Sequence, residues 1–97
     1  MSDICTFYLS PAEISPSVNL GVGLLRFSAY SELNAAKKAF SKILSTVAKM
    51  KMDLGECEYR FSLVAEGLPK MKFLGRRVRR IGDGQLIYYV PIVQREE

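Results

Sequence analysis

The 97 residues carry 14 Lys and Arg against 10 Asp and Glu, a formal charge of +4, with no histidine and 48% apolar residues. That length and balance suit one domain around one core, and they exclude a fibrous repeat or wholesale disorder. The missing histidine removes the commonest general base, the usual zinc ligand and every Ser-His or Cys-His nucleophile pair.

The opening Met-Ser-Asp-Ile-Cys has no basic region and no long apolar run, so no secretory signal is expected. The longest apolar run, 86–93, has eight residues, too few to span a bilayer as a helix. A soluble intracellular protein, cytoplasmic or nuclear, is expected. Cys5 and Cys57 are 52 positions apart and form no C-x-x-C unit. Two buried thiols are therefore expected rather than a disulfide or a metal site.

Residues 4–9 alternate, with Cys5, Phe7 and Leu9 facing one way and Ile4, Thr6 and Tyr8 the other, the pattern of a strand. Ser10-Pro11-Ala12-Glu13 has the form of a capping box and predicts a single helical turn before Pro16 interrupts it. A second extended run follows over 21–30, in which Leu25, Phe27 and Ala29 oppose Arg26, Ser28 and Tyr30.

The stretch 31–52 is the one long segment with a helical period. Leu33, Ala36, Phe40, Ile43, Leu44, Val47 and Met50 share one side, and Asn34, Lys37, Lys38, Ser41, Lys42, Ser45 and Lys49 form a basic, solvated side opposite. Ser31 is the expected N-cap, with Glu32 suited to the positive end of the helix dipole. Lys49 and Lys51 suit the other end, before the stop at Asp53-Leu54-Gly55.

Residues 57–65 alternate most cleanly: Cys57, Tyr59, Phe61, Leu63 and Ala65 against Glu58, Arg60, Ser62, Val64 and Glu66. Such a strand belongs to an antiparallel sheet covered on one face, and the amphipathic helix is the cover. The stretch 69–81 admits two readings. Met71, Leu74, Val78 and Ile81 recur at three and four, as in a short helix capped by Gly82. As a strand, its phase changes between Phe73 and Val78, which calls for a bulge at Gly75. The strand is preferred, because Gly82-Asp83-Gly84 is a hairpin-type turn followed by a run over 85–93 dense in Leu, Ile, Tyr and Val. Pro91 cannot donate to a ladder, which places that last strand at an edge or makes its end irregular, and 94–97 reads as a frayed polar tail.

The expected fold is therefore α+β: a mainly antiparallel sheet of about five strands, ordered β-β-α-β-β-β, with one long helix on one face. Phe7, Leu25, Phe27, Leu33, Phe40, Ile43, Val47, Tyr59, Phe61 and Leu63 form the expected core. The last strand is apolar on both faces, Leu86, Tyr88, Val90 and Ile92 against Ile87, Tyr89 and Val93, and one helix cannot cover both. A homo-oligomer interface through Leu86, Tyr89, Val90 and Ile92 is expected, the alternatives being that the tyrosines are partly exposed as a contact surface or that the loop 10–20 folds over the second face.

Lys70, Lys72, Arg76, Arg77, Arg79 and Arg80 give 70–80 a local charge of +6 with no acid, leaving −2 for the rest. One short stretch supplying all the excess charge points to an anionic partner. Arginine forks fit phosphate oxygens, Lys38, Lys42 and Lys49 extend the field if the sheet brings them near, and Tyr88 or Tyr89 can stack on an unpaired base. The competing reading of the arginines is protection of a sheet edge against aggregation. Glu56, Glu58 and Glu66 are candidates for carboxylate chemistry, but Glu58 and Glu66 fall on the solvated face of a strand, where charge is ordinary, and no phosphate-binding loop is present. No RNP-type aromatic motif, GXXG loop or zinc knuckle occurs. The expectation is a non-catalytic nucleic-acid-binding protein without metal or cofactor, with RNA or single strands ahead of duplex DNA because no recognition-helix arrangement is evident. The runner-up is a self-assembling structural or adaptor protein, viral or matrix-like, whose basic stretch meets an acidic protein or an anionic membrane.

Overall fold

The computed structural model describes residues 4–21, 23–50 and 54–96. Among these, five strands, β1 (Cys5–Leu9), β2 (Leu25–Ala29), β3 (Cys57–Val64), β4 (Met71–Ile81) and β5 (Ile87–Glu96), surround one helix, α1 (Glu32–Met50), in the order β-β-α-β-β-β. The strands form one antiparallel sheet ordered β2-β1-β3-β4-β5. This is an α+β fold with α1 against one sheet face.

Ser31 starts the helix as its sequence implies: its Oγ accepts the Asn34 N–H at 3.1 Å, satisfying an amide the helix cannot pair internally. Lys51 and Asp53, read as parts of the helix stop, lie outside the described residues. Ala35, Ala36, Ala39, Phe40, Ile43 and Val47 are buried. The buried side is thus turned toward small residues, which lets the helix approach the sheet closely. Leu33, expected in the core, lies on the rim of this arc at 42% exposure, and Met50 in the last turn is 63% exposed.

The core is built on aromatic rings. Phe61 on β3 stacks against Phe40 of the helix at 6.3 Å and against Phe73 of β4 at 5.8 Å. Phe7, Leu9, Ile43, Leu63 and Met71 close around them, while Leu25 and Phe27 are half-buried against the cluster. Each fully buried ring or aliphatic chain contributes about 1.5–3 kcal/mol relative to exposure. The stack is what fastens helix to sheet.

Four expectations are corrected. Residues 71–81 are a strand, but no bulge occurs at Gly75: the register runs unbroken from Lys72↔Glu96 to Ile81↔Ile87. Gly75 faces the helix, and a Cβ there would fall 2.5 Å from the Phe40 ring, so the missing side chain makes room for an aromatic one. The phase does not change; Leu74 and Val78 are buried on the opposite, helix-free face. Residues 94–96 are not frayed, and Glu97 lies outside the described residues: β5 continues to Glu96, held by Arg95 to Glu32 at 2.6 Å and by Glu96 to Arg60 at 3.0 Å. The 10–13 turn forms as a short 3-10 turn without a side-chain cap: the Glu13 N–H donates to the Ser10 carbonyl at 3.0 Å, and the Glu13 carboxylate pairs with Lys70. Finally, Cys5 is exposed and Cys57 half-buried, and no disulfide joins them.

The loop 10–20 does not fold over β5. It runs beside β3, where Ser15 and Arg60 exchange backbone hydrogen bonds at 2.9 and 2.7 Å, and delivers Ile14, Val18 and Leu20 to the core. The last strand therefore keeps its second face open and forms a sheet edge, as Pro91 implies. The Gly82 N–H donates to the Leu86 carbonyl at 2.7 Å, and the antiparallel alternation from that bond turns the backbone of 87, 89, 91, 93 and 95 outward. The proline thus removes a donor from the exposed edge itself.

A candidate nucleic-acid interface on the helix-free face

Because β3 pairs with β4 only as far as Arg77, the hairpin from Val78 to Val90 runs on as a two-stranded arm. The radius of gyration, 14.3 Å, exceeds the roughly 13 Å of a compact chain of this length, and the long axis is 48 Å. Glu56 and Arg77 brace the arm's root. The Arg79 N–H, at the β4 edge where β3 has ended, donates to Glu56 Oε2 at 3.3 Å. The Arg77 guanidinium donates to the Gly55 carbonyl at 2.5 Å and lies 4.0 Å from the centre of the Tyr89 ring.

Strand alternation divides the basic stretch. Lys72, Arg76 and Arg80 share the helix-free face, while Arg77 and Arg79 point to the helix side with Tyr89. Lys70 precedes β4 and is engaged with Glu13. Of the residues named from the sequence, then, Arg77 is committed to bracing the arm, and Lys72, Arg76, Arg80 and Tyr88 form a set. Arg80 and Tyr88 are direct cross-strand partners, and the Tyr88 ring lies over Gly82, where a Cβ would come within 3.2 Å of it. The tyrosine is 47% exposed. Neither Lys72 nor Arg80 enters any ion pair or side-chain hydrogen bond among the described residues.

The helix lysines do not extend this field. Lys38, Lys42 and Lys49 project from α1, which packs on the other side of the sheet, and Lys38 donates to the Ser28 carbonyl at 2.5 Å, tying helix to β2. The four residues expected at an interface are likewise separated: Val90 and Ile92 are half-buried on the helix-free face, Tyr89 lies on the helix side, and Leu86 sits exposed at the arm's tip.

Residues that the sequence reading passed over lie on the same open face. Arg60 on β3 reaches across β4 to Glu96 on β5 and also meets Glu58 at 3.6 Å; Glu58 in turn meets Arg76 at 3.8 Å. Leu74 is the cross-strand partner of Arg60, so this chain of charges passes over it and accounts for its burial on a face no helix covers. Such solvated pairs are individually weak, about 0–1 kcal/mol, and can exchange a carboxylate for a phosphate. Farther along, Tyr8 on β1 and Arg26 on β2 are cross-strand partners. Their alternation marks them as outward-facing, but only the strand order, with β1 next to β3, puts them on the same open face as Arg60 and Arg76.

Among the described residues no group of three or more Cys, Asp and Glu side chains converges as a metal site would require, and no helix is long and apolar enough to cross a membrane. Comparison of the chain with protein-family models, with curated proteins and with solved structures gave no match.

Proposed function

We propose that this protein binds single-stranded nucleic acid, RNA foremost, through the helix-free face of its sheet, without catalysis. The observation that carries the reading is the Arg80–Tyr88 pair: an unpaired guanidinium beside an exposed ring, with Arg76 and Lys72 continuing the row along one strand face. Recurrence every four residues spaces these cations about 13 Å apart, and the ring offers a stacking surface between phosphate contacts. An open sheet face presents rings to unpaired bases, which a duplex keeps inside its own stack.

Fluorescence anisotropy of labelled single-stranded RNA, duplex RNA and duplex DNA across a salt series tests it. Three cations meeting phosphates give a log K against log salt slope of about −2 on single strands. Changing Lys72, Arg76 and Arg80 to Ser should abolish most of that slope with the circular dichroism spectrum retained. Tyr88→Ser should cost about 1–3 kcal/mol of binding. Absence of binding at low salt, or unchanged binding by the triple variant, refutes the reading.

One observation favours a second reading, self-association. Ile81, Leu86 and Ile87 lie at the arm's tip at 64%, 69% and 53% exposure, Ile81 and Ile87 as cross-strand partners, and exposed apolar side chains at the end of a projecting arm suit burial against a second copy. Sedimentation velocity on the wild type and on Leu86→Asp separates the two readings: a dimer lost in that variant supports self-association.

A further inference from the structure

The helix-free face carries the same module at both of its ends. Arg80 faces Tyr88 across β4 and β5, and Arg26 faces Tyr8 across β2 and β1. Tyr8 is half-buried, Arg26 is exposed, and Arg26, like Arg80, enters no ion pair or side-chain hydrogen bond among the described residues.

The register fixes how the two modules are related. Arg26, Tyr8 and Val64 lie in one row across β2, β1 and β3; Arg60 and Leu74 lie in another, four residues farther along β3; Arg80 and Tyr88 lie six residues farther along β4. At about 3.3 Å per residue and about 4.8 Å between strands, the modules stand roughly 36 Å apart along the sheet diagonal. Arg60 and Arg76 lie between them, and both are partly neutralised by Glu58 and Glu96. Lys72, unpaired among the described residues, also lies between them, so a cation beside a tyrosine ring occurs at the two ends and cations alone in the middle.

Building on the nucleic-acid reading of this face, we infer that Tyr8 and Arg26 form a second binding point for the same single strand, so that the strand crosses the sheet diagonally and is held at both ends. A stacked strand advances about 3.4 Å per nucleotide and an unstacked one about twice that, so bridging takes roughly six nucleotides extended or roughly eleven stacked. A strand long enough to reach both points binds its second module intramolecularly, which raises affinity without a new kind of contact. Shorter strands engage one module at a time.

The test is affinity against length for oligouridylates of about 3 to about 12 nucleotides. The expected result is a rise of about tenfold or more once the length spans the diagonal, lost in the Tyr8→Ser/Arg26→Ser variant while the shortest strands lose no more than about twofold. Arg26→Glu, at an exposed position with no partner to lose, gives the same result if Tyr8→Ser disturbs the sheet. A length dependence identical in wild type and these variants overturns the second binding point and leaves the first standing. Failure of every length to bind at low salt overturns the underlying reading as well.

Discussion

Replacing Gly75 by Ala probes the contact that seats the helix. The added Cβ would lie 2.5, 2.6 and 2.7 Å from three ring atoms of Phe40, where ordinary contact starts at 3.4 Å, so the ring must retreat by about 0.9 Å. It has little room to do so: Phe40 is 1% exposed and nearly parallel to Phe61, with an 8° angle between the rings. Overpacking a rigid site costs typically 1–3 kcal/mol, and the stacked ring puts this case near the upper end. Against it stands a gain of about 0.4–1 kcal/mol from restricting the unfolded chain. The net loss is about 2 kcal/mol, or roughly 8–16 °C in Tm for a domain of this size. Urea denaturation followed by circular dichroism measures it. In a Phe40→Leu background, whose smaller side chain can rotate away, the cost of Gly75→Ala should fall below about 1 kcal/mol. An unchanged urea midpoint for Gly75→Ala alone, or strict additivity in the double variant, would refute the argument that Gly75 exists to admit the ring.

Two further outcomes follow from local chemistry. Ser31→Ala leaves the Asn34 N–H without its side-chain acceptor and should lower stability by about 1 kcal/mol, with Ser31→Asp restoring it; thermal melts of the three proteins decide this. Burial, with the neighbouring Cys57 as a lesser cause, raises the Tyr59 phenol above its ordinary value of 10.0. The unfolded phenol ionises first, so this contribution to stability is complete below that pH and is lost as pH rises through the folded value. Urea midpoints measured from about pH 8 to about pH 11 should therefore fall less steeply for Tyr59→Phe than for wild type, and parallel slopes would contradict the assignment.

Most elements were legible from periodicity, because a face that must be buried imprints its period on the chain: α1 at 3.6, β1, β2 and β3 at two, and the cap at Ser31. So was the edge position of β5, since Pro91 cannot donate to a neighbour. Positions decided by small residues were not legible. Leu33 was expected inside and lies on the rim because Ala35 and Ala39 set the depth of contact, and Gly75 was read as a bulge because its role belongs to Phe40, 35 positions away in the chain. The segment 94–96 is polar and locally has no reason to be ordered; Arg60 and Glu32, far off in sequence, hold it.

The candidate site divides in the same way. Composition and the run of cations at 70–80 determined that one short stretch carries the excess positive charge. Only the tertiary structure decided that Lys72, Arg76 and Arg80 face away from the helix while Arg77 braces the arm, and that Lys38, Lys42 and Lys49 lie across the sheet from them. A strand's own sequence sets which residues alternate, but the strand order and register set which residues of different strands become neighbours. That is why Tyr8 and Arg26, unremarkable in the chain, share a face with Arg80 and Tyr88 once β1 has paired with β3.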